Sequence, residues 1–547
     1  MKRIKKWGIL LLALLLAAGC APKKEVKDIY IVYTGDVHCG FDENLGFAKL
    51  KALVEDVKQK DGYTYLVDVG DYLQGGVYGS LSEGKIVIDM MNEVGYDLVA
   101  VGNHEFDYGM DRLKELMGLS KFRYVACNVK YTGSKESIFK DIPEYVIEEF
   151  GGRKVAFIGV ITPFSIVSST PTFFMENDNL VYDFYSADQG KELAEKVQKT
   201  VDEARSKGAD YVIALTHLGS TNEEAPFDSV SLISRTTGID VVIDGHSHSV
   251  IIGDPYPNAE GKDVILTSVG TKMQNAGELI IEKDGTISTM LFSEYAREDE
   301  GVKAAMGKVQ NEMAAILSQK VGDASFPLTI ENENGVRIVR SRETNLGDFL
   351  TDIVRQEMKA DIGILIGGGI RHTIAKGEIR YGDLLNVFPF FNTLSVVRCK
   401  GQQILDALEF GASKTEGIAE FDGNSAGEFG GFLQVSGLKY TIDTSVPTPV
   451  LTDKNGMFIG TEGPRRVKDV YVMQNGRYEP IDPEKMYTVA SIDYLLFENG
   501  DGNTAFKGAE KVPGEEPIDL DVLIKWVKQM PEFPDTYEKP QGRITVE

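Results

Sequence analysis

Cysteine, histidine and positive charge are all scarce in this sequence, and each shortage narrows what the chain can be. Four cysteines occur in 547 residues, none in CxxC spacing, so no thiol chemistry is indicated. Cys39, Cys127 and Cys399 read as buried free thiols, with a disulfide between two of them left open. Lysine and arginine total 58 against 83 acidic residues, a net charge of −25. A surface of that sign repels nucleic-acid polymers, although small anions still bind where cations or metals line a site. No apolar run reaches the roughly 20 residues that a bilayer span needs. There is no internal repeat and no low-complexity segment. The hydrophobic content of 42% and charged content of 26% are those of an ordinary globular protein. At roughly 100–200 residues per domain, the length calls for two large domains or more.

The N-terminus carries an address. Lys2, Arg3, Lys5 and Lys6 precede an apolar run from Trp7 to Ala18, which ends in Leu16-Ala17-Ala18-Gly19-Cys20. This resembles a bacterial lipoprotein signal, with residues 1–19 removed and Cys20 lipidated. Ala17 stands where such signals more often have Leu. Residues 20–27 then read as a tether, and the expected location is the cell envelope, in the periplasm or on the outer surface.

From Asp28 to about Ile287, apolar strand-like runs alternate with amphipathic stretches. The runs include Ile29–Tyr33, Tyr65–Val69, Leu98–Val101, Val155–Val160, Tyr211–Leu215 and Val241–Ile243. Phe47, Leu50, Leu53, Val54 and Val57 recur at helical spacing, and Ser186 with Gln189 has the spacing of a capping box opening a second helix that closes at Gly208. Such alternation predicts a layered α/β domain over 28–297. Residues 298–320 read as a linking helix. A second, mixed α/β domain is expected over 321–547, with helices at Leu346–Ala360 and Leu520–Met530.

Five of the six histidines fall where apolar runs end in that first domain. The runs lead into Asp36-Val37-His38, Gly70-Asp71, Gly102-Asn103-His104-Glu105, Thr216-His217 and Asp244-Gly245-His246-Ser247-His248. Ligands of α/β layers bind beyond the carboxyl ends of strands. A lone histidine is usually core or surface, and a lone aspartate after a strand is usually a turn. Five correlated occurrences instead assemble carboxylates, an amide and imidazoles into a ligand set for divalent metals.

This order of D-x-H, G-D, G-N-H-E, a distal H and G-H-x-H resembles the calcineurin-like metallophosphoesterases. Gly102-Asn103-His104-Glu105-Phe106-Asp107 resembles their 5′-nucleotidase branch. The resemblance implies a four-layer α/β/β/α sandwich and two divalent ions, of Zn, Mn, Co, Fe or Mg. It implies that Asp36, His38 and His248 hold one metal, that Asn103, His217 and His246 hold the other, and that Asp71 bridges them. His104 is expected on the phosphoryl group or leaving oxygen, oriented by Asp107.

The second half resembles the C-terminal domain of the same family. Arg342 lies in Ser341-Arg342-Glu343-Thr344-Asn345-Leu346-Gly347, and Arg371 closes Gly367-Gly368-Gly369-Ile370-Arg371. The family implies that both contact the substrate phosphate. Phe390 and Asn392, in Pro389-Phe390-Phe391-Asn392, are expected on the base, beside Gly430. Tyr494 or Phe497 completes the clamp, and Asp501 takes the ribose. Ile366 and Phe391 replace an Asn and a Gly of the family pattern. The expected activity is hydrolysis of nucleoside 5′-monophosphates. UDP-sugars, 2′,3′-cyclic nucleotides or general phosphoesters are the enzymic alternatives, and a nucleoside- or metal-binding lipoprotein is the non-enzymic one.

Overall fold

The computed structural model describes residues 26–220, 225–417 and 427–547. The N-terminal signal and Cys20 lie outside them. Strands of the first half are β1 (Asp28–Thr34), β2 (Gly62–Asp68), β3 (Leu98–Ala100), β4 (Arg123–Val125), β5 (Tyr145–Phe150), β6 (Arg153–Ile161), β7 (Tyr211–His217), β8 (Val241–Asp244), β9 (Val250–Pro257), β10 (Asp263–Val269), β11 (Ala276–Ile281) and β12 (Ile287–Phe292). They form two six-stranded sheets, ordered β12-β11-β1-β2-β3-β4 and β9-β10-β8-β7-β6-β5. The centre of each sheet is parallel; antiparallel strands close both edges of the second sheet and the β12 edge of the first, whose other edge, β4, runs parallel to β3.

Side chains of a strand alternate between faces, and β1 shows what this does. Ile29, Ile31 and Tyr33 enter a cluster between the sheets, together with Phe157, Ile213, Leu215 and Ile243. Tyr30 and Val32 face the other way, into a cluster with helices α1 (Gly46–Lys58) and α2 (Lys85–Val94). Helix α3 (Lys191–Ser206) covers the second sheet through Leu193, Val197 and Val201. The result is the expected α/β/β/α sandwich. The capping box expected at Ser186 and Gln189 does not form. Gln189 has φ 52°, Gly190 caps the helix without a side-chain bond, and the Ser186 hydroxyl turns to Asn455.

Helix α4 (Glu300–Leu317) is capped by Asp299, whose carboxylate accepts the Val302 N–H at 2.9 Å. Val302 packs into the first half and Leu317 against the core of the second. That second core surrounds helix α5 (Asn345–Glu357), β13 (Ile362–Ile366), β14 (Leu394–Lys400), helix α6 (Gly401–Gly411), β15 (Leu433–Ser436), β16 (Met486–Ile492), β17 (Glu510–Lys511) and helix α7 (Asp519–Gln529), with the sheet ordered β15-β13-β16-β14-β17. The halves meet along a cavity and at a hairpin (450–461), where Lys454 pairs with Asp183 and Asn455 accepts from Ser186. Cys39, Cys127 and Cys399 are free and buried, and burial pushes each thiol up to about 12. Among the described residues, no helix is long and apolar enough to cross a membrane.

Candidate active site

Strands β1, β2 and β3 of one sheet and β7 and β8 of the other deliver their last or following residues to one edge of the sandwich. There, Nε2 of His38 and Nε2 of His248 lie 3.0 Å apart. Nε2 of His217 is 3.0 Å from Oδ2 of Asp71 and 3.9 Å from Oδ1 of Asp36. Nε2 of His248 is 3.7 Å from Oδ1 of Asp36, and Nδ1 of His246 is 2.9 Å from Oδ1 of Asn103. All seven expected ligands therefore converge. Close groups form as Asp36–His38–His248, as Asp71–His217–His246 and as His38–Asp71–His104.

The backbone is bent to achieve this. Asp36, His38, Asp71, His246 and His248 have φ of 49°, 45°, 60°, 79° and 55°. Left-handed backbone costs a side-chain-bearing residue on the order of 1–3 kcal/mol, and it gathers where function requires it. Glu105 holds the turn in place. Its carboxylate, with no exposed surface, accepts the N–H groups of Asp71, Tyr72, Leu73 and Gly102. Gly102 also passes so close to Asp71 that a Cβ there would collide with the carboxylate.

Hydrogen bonds at the far ring nitrogens fix which nitrogens are lone pairs. Nδ1 of His38 is 2.8 Å from the Gln74 carbonyl, and Nδ1 of His217 is 2.9 Å from the Val69 carbonyl. A carbonyl only accepts, so each Nδ1 carries its proton and each Nε2 is the atom turned toward the cluster. Burial pushes His38 down to about 3. Burial and the neighbouring His217 do the same to His246, so both imidazoles are neutral. Burial opposes charge on His217 too, but Asp71 and Asp36 outweigh it and raise the ring to about 10. Nε2 of His217 is buried without a hydrogen-bond partner. The site thus demands positive charge between His217 and the carboxylates, and the donor set fits a divalent cation.

Beside this cluster, Nδ1 of His104 donates to Oδ2 of Asp107 at 2.6 Å, and the hydroxyl of Ser169 donates to Oδ1 of Asp107 at 3.0 Å. Burial works against charge on His104, but Asp107 and Asp71 outweigh it and hold the ring above its ordinary value.

A cavity of about 500 Å³ opens over these groups and is walled on its far side by the second half. Asp71, Asn103, His104, Asp107, His246 and His248 border it, and so do Arg371, Phe390, Asn392, Gly430, Tyr494 and Asp501. Arg342 does not. Its guanidinium donates to the carbonyls of Ser341 and Glu416 instead. Arg340, two residues earlier, lines the cavity with Arg337 and Lys414. Burial and the adjacent Arg337 and Arg371 push Arg340 down to about 9. The motif located the arginine cluster but not its phase, and only the turn geometry selects the residue that faces inward. Tyr494 borders the cavity, whereas Phe497 is 37% exposed and lies under the Lys511 ammonium. Phe391 takes φ 55°, the left-handed conformation for which glycine is suited. Gly430 is required by space, since a Cβ would strike the Asp501 carboxylate.

A four-layer sandwich with this histidine–aspartate cluster at its strand ends is a metallophosphoesterase, a hydrolase of phosphoric esters. Residues 29–250 match the family model for calcineurin-like phosphoesterase, and residues 320–508 match that for the 5′-nucleotidase C-terminal domain. The chain belongs to the 5′-nucleotidase family of calcineurin-like metallophosphoesterases. It is 26% identical to the 5′-nucleotidase of Rattus norvegicus, over 98% of this chain and 94% of that protein. It is 27% identical to the trifunctional nucleotide phosphoesterase protein YfkN of Bacillus subtilis, over 96% of this chain but only 35% of that much longer relative. The crystal structure of a 5′-nucleotidase precursor from Thermus thermophilus superposes with a TM-score of 0.77 at 28% identity, covering 95% of this chain and 99% of that one.

Proposed function

We propose that the protein hydrolyses nucleoside 5′-monophosphates to nucleoside and phosphate, outside the cytoplasmic membrane, at a centre of two divalent cations. The observation that carries this reading is that one cavity is bordered both by the histidine–aspartate cluster and by Phe390, Asn392, Tyr494 and Asp501.

Asp36, His38 and His248 would hold one cation, Asn103, His217 and His246 the other, with Asp71 shared. When bound, such a pair supplies Lewis acidity to phosphoryl oxygens and acidifies water. His104, with Nδ1 engaged by Asp107, presents Nε2 to the phosphoryl group or leaving oxygen. Arg371 and Arg340 grip the phosphate with planar forks. The rings of Phe390 and Tyr494 receive the base on its π-faces. Asn392 reads the base edge and Asp501 accepts from ribose hydroxyls.

UDP-sugars remain a second class of substrate for a cavity whose wall also carries Lys414 and an Arg337–Glu428 ion pair. The lipoprotein-like signal ending at Cys20 supports lipid anchoring at the cell envelope. Parallel phosphate-release assays on AMP, UDP-glucose and an aryl phosphate, each with and without chelator, test the reading. The expected order of kcat/KM places AMP first, with all activity lost to the chelator. Equal rates on all three substrates, or chelator-resistant turnover, would reject it.

A further inference from the structure

Ser169 uses both of its polar ends, and they point to opposite halves of the molecule. It sits just past the short helix Ser165–Ser168, in the loop that follows β6, and is 2% exposed. Its hydroxyl donates to Oδ1 of Asp107 at 3.0 Å. Its carbonyl accepts the hydroxyl of Tyr494, across the cavity, at 2.8 Å. That hydroxyl in turn accepts the Asp501 N–H at 3.1 Å. One line of hydrogen bonds therefore runs from His104 through Asp107, Ser169 and Tyr494 to the backbone of Asp501. Next to it, the Val167 side chain packs on the backbone of Gly502 and Gly456.

The consequence is geometric. A carboxylate held at one oxygen swings about its last torsion, and a carboxylate held at both does not. Oδ2 of Asp107 takes the His104 proton, and Oδ1 takes the Ser169 proton. The plane of Asp107, and with it the direction of Nε2 of His104, is then set by where Ser169 stands. Ser169 is set in turn by Tyr494, which belongs to the other half. Misplacing a reacting group by a fraction of an ångström is costly in rate, and buried hydrogen-bond networks act as units.

We propose that Ser169 is a positioning residue that couples the seating of Tyr494 to the orientation of the His104–Asp107 pair, so that the pair is fully aligned only when the nucleotide-side wall is closed. This rests on the function proposed above, in which His104 acts on the phosphate ester.

The test is a double-mutant cycle on AMP hydrolysis by the full chain. Ser169→Ala should lower kcat about tenfold and leave KM within about twofold, because the lost bond orients and does not bind. Ser169→Thr keeps the hydroxyl and should restore most of the rate. Tyr494→Phe keeps the ring and loses only the hydroxyl, and should lower kcat several-fold at similar KM. The double variant should be no slower than the slower single one, the signature of a shared path. Multiplicative losses, or an unchanged kcat in Ser169→Ala, would overturn the coupling. If Ser169→Ala does not fold, Tyr494→Phe decides alone: a several-fold lower kcat at similar KM supports the coupling, and an unchanged kcat overturns it. A wild-type chain that releases no phosphate from AMP removes the functional reading and this inference together. An active wild type with an indifferent Ser169 removes this inference alone.

Discussion

Nε2 of His217 stands 3.0 Å from Oδ2 of Asp71 while the other ring nitrogen is spent on the Val69 carbonyl. A buried lone pair facing a buried carboxylate is repulsive unless positive charge lies between them. A proton answers the need by making His217 an imidazolium, which is why its ring is raised to about 10. A divalent cation would answer it better, since it would also serve His246, which lies in the same close group. Burial would raise Asp71, but the charge of His217 and His104 holds it well below the ordinary carboxylate range.

In the proposed reading His104 acts on the ester and is not a ligand, although it stands close to His38 and Asp71. His104→Ala is expected to lower kcat by roughly 10²–10⁴, the usual weight of a positioned proton donor, and to leave metal content unchanged. Steady-state kinetics with elemental analysis of the same preparation checks both. Loss of metal in His104→Ala would make it a ligand.

Glu105 is the residue that sequence reasoning left without a role. Glu105→Ala strands four backbone N–H groups beneath the metal cluster. Each buried unpaired donor costs about 1–3 kcal/mol, so the variant should lose several kcal/mol of stability. A thermal melt with the midpoint lowered by less than about 2 °C would contradict this.

Most of the fold and the inner site were legible because one physical signal wrote them. A strand buried on both faces is an apolar run, and the first polar residues after it land at the sheet's carboxyl edge, so Asp36, Asp71, Asn103, His217 and His246 announced themselves. The outer wall is written in turns, where no period exists. Arg340 and Arg342 are two residues apart, and only the bend at Val339–Ser341 decides which enters the cavity. Tyr494 and Phe497 are three apart around a short helix (Asp493–Leu496), and its packing decides which one faces the cavity. Ser169 carries no motif at all. Its role exists only once two distant segments meet.

Phe390 borders the cavity, with the Arg371 guanidinium 5.8 Å from its ring centroid. Phe390→Ala should raise KM for nucleotides by about 1–3 kcal/mol, or roughly 5- to 150-fold. Hydrolysis of an aryl phosphate without a nucleoside should change by less than about threefold. Equal effects on both substrates would place Phe390 in the phosphate site or the core.

Asp501 titrates in an accessible range. Burial raises its carboxyl to about 6, against the opposing pull of Arg340 and Arg371. The charged form, which would accept from ribose hydroxyls in the proposed reading, is present above that pH and is lost as pH falls through it. KM for AMP should therefore rise about tenfold between pH 7 and pH 5 relative to Asp501→Asn, in which that dependence is absent. The folded-state value lies above the unfolded one, so this group contributes stability below about pH 4 that is lost as pH rises through about 6. Parallel KM–pH curves for the two proteins would contradict the assignment.

The measurement that bears most directly on the whole account is the divalent-metal stoichiometry of the purified chain, set beside that of Asp71→Asn. Two ions per wild-type chain, falling to one or fewer when the shared carboxylate is neutralised, is the predicted result. A wild-type chain that retains no metal after dialysis against metal-free buffer and takes up none on titration with Mn or Zn, or an Asp71→Asn chain that still holds two, would contradict it.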